Sequence, residues 1–197
     1  MALRRPFLAA LILTAALQLA CGLAGAEDKK DLTQTRPSLE RITVPLELID
    51  VGDGDTVSIQ WTENDRERVR ILGIDTPEVA HPNIGMPFDQ SFGREATAFC
   101  AGVFAAATTV ELIRAAETDG YGRTLGYFFV NGMNYSVLVV KARLAVETVT
   151  FYGDNGLPAE SEAVLAASRT VGPAPFEEPY KFRRRMREIQ SWQKDNP

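Results

Sequence analysis

Between Thr56 and Ile71 the chain alternates with period two. Val57, Ile59 and Trp61 are apolar while Thr56, Ser58 and Gln60 are polar; after a polar turn at residues 62–66, Val69 and Ile71 resume the apolar face and Arg68 and Arg70 take the other. Two such arms about a turn specify an antiparallel hairpin with one face buried, and burial of one face fixes its register. Pairing about Asn64-Asp65 brings the start of the first arm beside the end of the second. Both of those ends are acidic: Asp53-Gly54-Asp55-Thr56 before the hairpin, and Gly73-Ile74-Asp75-Thr76-Pro77-Glu78 after it. The carboxylates of Asp53, Asp55, Asp75 and Glu78 are therefore expected at one end of a sheet, beside Arg70. Hard oxygen donors next to a guanidinium point to metal-assisted phosphate chemistry.

The rest of the chain supplies a frame for that hairpin. Residues 42–51 read as a bulged strand, with Pro45 at an edge or bulge position. Thr109 to Ile113 reads as a fourth strand, Arg114 to Gly122 as a polar loop, and Thr124 to Val130 as a fifth strand ending in the Asn131-Gly132 turn. Helical patterns cover residues 93–104, 134–144 and 158–169, the last opening on a proline. Five strands with about three helices predict an α+β, mainly β domain of the OB type, a small barrel with helical additions. Its expected limits are residues 42–170, between a flexible linker at 27–41 and a Pro-rich, then basic, tail at 171–197.

Residues 1–26 are set apart by composition. Arg4 and Arg5 precede an apolar run from Phe7 to Ala20, and the stretch ends Ala24-Gly25-Ala26. A basic start, a short apolar segment and an Ala-x-Ala site read as a secretory signal cleaved near Ala26, giving a secreted or periplasmic protein. Cys21 raises the alternative of a lipidated N-terminus, although Gln18 stands where that signal wants an aliphatic residue. Cleavage leaves Cys100 alone, read as a small buried hydrophobe. It also removes two arginines and no acid, taking the net charge from −5 to −7. That disfavours non-specific tracking along a polyanion but permits a local positive site.

Singly, each polar turn is common. Together, Val51-Gly52-Asp53-Gly54-Asp55-Thr56, Val69-Arg70-Ile71-Leu72-Gly73-Ile74-Asp75-Thr76-Pro77-Glu78 and Thr118-Asp119-Gly120-Tyr121-Gly122-Arg123 resemble the staphylococcal nuclease (thermonuclease) family in order and spacing. Ser91-Phe92-Gly93-Arg94-Glu95 and Arg143-Leu144-Ala145 extend the resemblance, which runs from about Val44 to Arg169.

The resemblance implies an OB-fold, calcium-dependent phosphodiesterase that hydrolyses DNA and RNA by in-line water attack and leaves 3′-phosphate ends. By the same analogy Asp55, Asp75 and the Thr76 carbonyl hold Ca2+, Glu78 orients or deprotonates the water, Arg70 and Arg123 bind the phosphate and its transition state, and Tyr121 contacts the nucleotide. Asp53 is read as turn scaffolding and His81 as a loop residue. A monomer with no stable protein partner is expected. The alternative is a non-catalytic OB-type nucleic-acid-binding module, whose usual mark, loss of the acids or arginines, is absent from these motifs. The sequence departs from the family at Gly120, where a lysine is common, and beyond Arg169. The basic cluster Lys181, Arg183, Arg184, Arg185 and Arg187 is read first as a solvated helix face.

Overall fold

A computed structural model describes residues 31–195; the signal segment and Cys21 lie outside the described residues. The strands are β1 Arg41–Thr43, β2 Ile49–Val51, β3 Thr56–Thr62, β4 Asp65–Ile71, β5 Ile74–Asp75, β6 Val110–Thr118, β7 Thr124–Val130, β8 Met133–Asn134 and β9 Val146–Glu147. The helices are α1 Gly93–Ala105, α2 Tyr135–Lys141, α3 Val149–Tyr152, α4 Pro158–Thr170 and α5 Pro179–Asp195.

The hairpin forms as its alternation dictates. β3 and β4 pair antiparallel with Thr56 opposite Arg70 and Val57 opposite Val69. Val57, Ile59, Val69 and Ile71 are buried, each contributing about 1.5–3 kcal/mol over an exposed position. The sheet order is β1-β6-β7-β4-β3-β2, with β8 added on β7, and β5 pairs β9 apart from it. β4 and β7 run parallel, Val69 opposite Thr124. The sheet curls as a half-barrel of the OB type, and the class is the expected α+β. Against its inner face pack Cys100 and Phe104 of α1, and Tyr135, Val139 and Val140 of α2. Among the described residues no helix is long and apolar enough to cross a membrane.

Four local expectations are corrected. The single bulged strand over 42–51 is two strands with different partners, β1 on β6 and β2 on β3, separated by a 3-10 turn at Leu46–Leu48. Pro45, lacking an N–H, stands at the break. The polar loop expected from Arg114 is strand as far as Thr118. Arg114 is buried because Glu67 lies on the inward face of β4: Nε donates to Oε1 at 2.7 Å and Nη2 to Oε2 at 2.9 Å. The linker expected at 27–41 is docked from Leu32 onward. Thr118 donates to the Leu32 carbonyl at 2.6 Å, Gln34 to that of Ala116 at 2.9 Å, and Leu39 to that of Arg114 at 2.8 Å.

The tail is the fourth correction. Its basic part is α5, whose Phe182 and Met186 are buried against Met86, with Ile189 packed alongside. Positions 182, 186 and 189 fall on one helical face, a stripe that the density of arginines conceals in the sequence.

Candidate active site

The hairpin register gathers the two acidic turns. Asp53 closes an Asx turn, its Oδ1 accepting the Asp55 N–H at 3.0 Å, and so acts as the scaffold expected of it. Asp55 reaches across to the second turn: its Oδ2 accepts the Thr76 N–H at 2.9 Å and the Thr76 hydroxyl at 2.9 Å. Gly54 lets the turns approach, since a Cβ there would lie 2.8 Å from Thr76 Oγ1. From α2, the Tyr135 hydroxyl donates to the Gly54 carbonyl at 2.8 Å and fixes the turn from behind.

Arg70, opposite Thr56, lies between the acids. Its Nη1 pairs with Asp55, and its Nη2 donates to Asp75 Oδ1 at 3.0 Å and to the Ile74 carbonyl at 3.1 Å. Burial pushes the Arg70 guanidinium below its ordinary value, and Asp75 and Asp53 oppose that shift; an arginine stays charged through it. Burial likewise raises the Asp53 carboxyl against the pull of Arg70.

Arg123 enters by topology. It immediately precedes β7, which runs parallel to β4 and adjoins it, so a residue far along the chain arrives beside Arg70. It acts electrostatically on both Arg70 and Asp53. Its Nε donates to Asp119 Oδ2 at 2.7 Å, and Asp119 Oδ1 accepts the backbone N–H groups of Tyr121 and Arg123. The Asp119 turn thereby aims the arginine. Tyr121 is 88% exposed, with the Arg123 guanidinium 5.7 Å from its ring centroid. His81 is exposed and pairs by a β-bridge with Met86, as a loop residue.

Glu78 is held through its backbone by Gln90, a residue the sequence did not single out. Gln90 is buried; it accepts the Glu78 N–H on Oε1 at 3.2 Å, and its own N–H donates to the Glu78 carbonyl at 2.8 Å. Gly93 at the start of α1 presses on the same carbonyl, and a Cβ there would overlap the Glu78 oxygen. Phe92, just before it, has φ +70°, a left-handed value a bulky side chain rarely adopts; its ring packs 6.0 Å from that of Phe176. Gly93→Ala is therefore expected to displace the Glu78 segment and lower any catalysis that depends on Glu78 by about 10–100-fold. Steady-state rates checked against unchanged far-UV circular dichroism would show it, and a full rate would refute the coupling.

The largest surprise is Arg183 of α5. Its Nη1 donates to Asp75 Oδ1 at 3.0 Å and to Glu78 Oε1 at 2.5 Å, and its Nη2 to Asp75 Oδ2 at 2.8 Å. Burial raises the Glu78 carboxyl, and the Arg183 hydrogen bond and charge pull against it. Nothing in the sequence pairs residue 183 with residue 75; only the docking of α5 does so.

The oxygens that could hold a hard cation are chemically suited to one. Asp53, Asp55, Thr76 and Glu78 line a single small cavity with Pro77 and Val79. In this conformation the charge is balanced by arginines, and among the described residues no three acidic, histidine or cysteine side chains converge as a metal cluster. Asp55 is turned to Thr76 and Arg70, while Asp75 is turned to Arg70 and Arg183. A compact set of carboxylates and guanidiniums on rigid turns can bind a phosphodiester, balance charge developing on it, and accept a proton from water.

Comparison with known proteins shows a family to which the chain is similar. Residues 68–169 match the family model described as staphylococcal nuclease homologue, a segment that includes Arg70, Asp75, Glu78 and Arg123. The thermonuclease of Staphylococcus intermedius is 34% identical over 105 residues, covering 53% of this chain and 59% of that protein. The thermonuclease of Staphylococcus hyicus is 31% identical over 108 residues, 55% of this chain and 60% of that one. The SPbeta prophage-derived endonuclease YokF of Bacillus subtilis is 33% identical over 105 residues, 50% of this chain and 34% of its own length. The chain thus spans no more than about three-fifths of these relatives. With the match extending over more than half of its residues and taking in the second acidic turn and both arginines, the chain belongs to the staphylococcal nuclease family.

Proposed function

We propose that this protein is a calcium-dependent phosphodiesterase that cleaves DNA and RNA internally and leaves 3′-phosphate ends. The observation that carries the reading is the convergence of Asp55, Asp75 and Glu78 with Arg70 and Arg123 at the end of one hairpin, all but Asp55 within the segment that matches a nuclease family.

Asp55, Asp75 and the Thr76 carbonyl would hold the calcium ion, which supplies Lewis-acid polarisation of the phosphate and balances charge in the transition state. Arg70 and Arg123 present guanidiniums where negative charge accumulates on the non-bridging oxygens. They strengthen as that charge grows and so lower the barrier more than they tighten the ground state. Glu78, its carboxyl raised by burial, is a stronger base than an exposed glutamate. It takes a proton from the water as that oxygen attacks phosphorus; the P–O5′ bond breaks in line, and the 5′-oxygen takes a proton from solvent to leave as a hydroxyl. Gln90 and Gly93 hold the Glu78 backbone in place at the wall of the cavity. Tyr121 offers its exposed ring to a base, a contact tolerant of sequence.

Secretion or a periplasmic location, with signal removal near Ala26, is part of the same proposal and rests on the composition of residues 1–26. So does monomeric action.

A calcium-titrated digestion of single- and double-stranded oligonucleotides tests the reading. Cleavage is expected to rise with calcium, to vanish with chelator, and to leave 3′-phosphate on end-group analysis. Oligonucleotide binding without turnover at any calcium concentration would instead establish a binding module.

A further inference from the structure

We propose that Arg183 belongs to the site as a tethered competitor of the divalent cation: its guanidinium occupies Asp75 and Glu78 until a cation displaces it, so that α5 sets the cation affinity. This rests on the calcium-site reading above and goes beyond it by adding a residue from outside the family-matched segment, which ends at residue 169.

The bonding of Asp75 carries the argument. Its Oδ1 accepts from Arg70 and from Arg183, both at 3.0 Å, and its Oδ2 accepts from Arg183 at 2.8 Å. Both oxygens are thus committed to guanidinium donors in the two-pronged geometry that arginine and carboxylate favour. These bonds use three of the carboxylate's roughly four acceptor sites, and two guanidinium charges stand against it. A cation ligated directly by Asp75 therefore meets both repulsion and crowding until one guanidinium withdraws, and Arg183 is the partner that can leave. Arg70 is fixed in the hairpin, opposite Thr56 and also bonded to the Ile74 carbonyl. Arg183 stands on a separate helix. Its third bond, to Glu78 Oε1 at 2.5 Å, holds the carboxylate proposed to handle water, so one residue blocks both tasks.

The rest of α5 shows that this contact is distinct from the solvated face expected of a basic helix. The Arg183 side chain is 29% exposed, whereas that of Arg184 is 68% exposed and lies near Glu188 on its own helix. Arg185 pairs with Glu177, at the approach to α5. One arginine of the cluster is turned inward.

The helix is held by modest means: the small cluster of Phe182, Met186 and Met86, and a hydrogen bond from Gln90 to the Glu177 carbonyl at 2.5 Å. Gln90 also fixes the Glu78 backbone, so the α5 approach and Glu78 share one support. A strap of this kind has few buried contacts to break. Where the engaged state is favoured tenfold, apparent cation affinity falls about tenfold.

The test is calcium binding by isothermal titration calorimetry on the full chain without nucleic acid, comparing wild type, Arg183→Met and Phe182→Ala. Arg183→Met keeps a long apolar stem and removes the guanidinium; Phe182→Ala loosens the α5 clamp without touching a carboxylate. The expected result is calcium binding at least about tenfold tighter in Arg183→Met, and tighter than wild type in Phe182→Ala. Calcium should also expose α5 of the wild type to trypsin at its arginines. Equal or weaker calcium binding in both variants, or no calcium binding by any of the three proteins, overturns the proposal. Because no substrate is present, a failure to cleave nucleic acid would count against the proposed function and leave this result standing.

Discussion

Arg123→Ala is expected to reduce calcium-supported cleavage by about a thousandfold while leaving the melting temperature within a few degrees of wild type. The guanidinium stands at the rim of the acid cluster, bonded to Asp119 through Nε, with the Tyr121 ring beside it. Its loss removes charge stabilisation that grows as the phosphorane-like geometry is approached, so the rate constant should fall more than substrate affinity. Arg123→Lys keeps the charge but loses the planar fork, and an intermediate rate is expected.

Arg70→Ala should be equally inactive for a mixture of reasons. Arg70 joins Asp55 and Asp75, so its removal leaves carboxylates facing one another and destabilises the turns as well. Single-turnover kinetics and thermal melts, read together on the three variants, separate the two effects. An Arg123→Ala protein within about threefold of the wild-type rate would remove Arg123 from the mechanism.

The second large effect concerns stability. Arg114→Met should cost about 3–5 kcal/mol, because it takes from a buried glutamate the guanidinium bonded to both its oxygens and leaves only that of Arg36, 3.6 Å away. Glu67 Oε1 accepts from Arg114 Nε and from the Thr124 hydroxyl, both at 2.7 Å, and Oε2 accepts from the Trp61 indole at 2.7 Å. Arg114 and Glu67 side chains are each only 2% exposed, so solvent does little to replace the pair. For a chain of this length the loss corresponds to a fall in Tm of roughly 10 °C. Combining it with Glu67→Gln should recover part of the loss, since the stranded charge is then gone. Equilibrium urea unfolding gives both numbers, and a cost below about 1 kcal/mol for Arg114→Met would mean the cluster is not a keystone.

The pH dependence of that pair has a definite sign. Burial pushes the Glu67 carboxyl up, but hydrogen bonds from Arg114, Trp61 and Thr124 outweigh it, and the folded value lies below the ordinary one. A carboxyl depressed by folding stabilises above its unfolded value and loses that contribution as pH falls through the folded value. Acid unfolding of the wild type should therefore be steeper than that of Glu67→Gln below the ordinary carboxylate range.

The sequence by itself determined the hairpin and what stands at its ends. Alternation over Thr56 to Ile71 is a local property, and burial of one face turns it into a register; once Thr56 lies opposite Arg70, Asp55 and Asp75 must be neighbours. Helices α1, α2 and α4 were legible from the spacing of their apolar positions, and α4 also from its opening proline. Three things came only from tertiary structure. Arg114 reads as the start of a polar loop until Glu67, forty-seven positions away, supplies its partner. Residues 32–41 read as linker because they are seated by backbone bonds to β6 and by partners far along the chain, Arg36 on Asp65 and Gln34 on Thr124, none of which marks the local pattern. Arg183 reads as one of a cluster of equivalent cations. It is singled out only when Phe182 and Met186 seat their helix on Met86 and carry its guanidinium across 108 positions of chain to Asp75. Local pattern can specify an element and its buried face; which charges meet is decided by how those elements dock, over separations at which sequence carries no local signal.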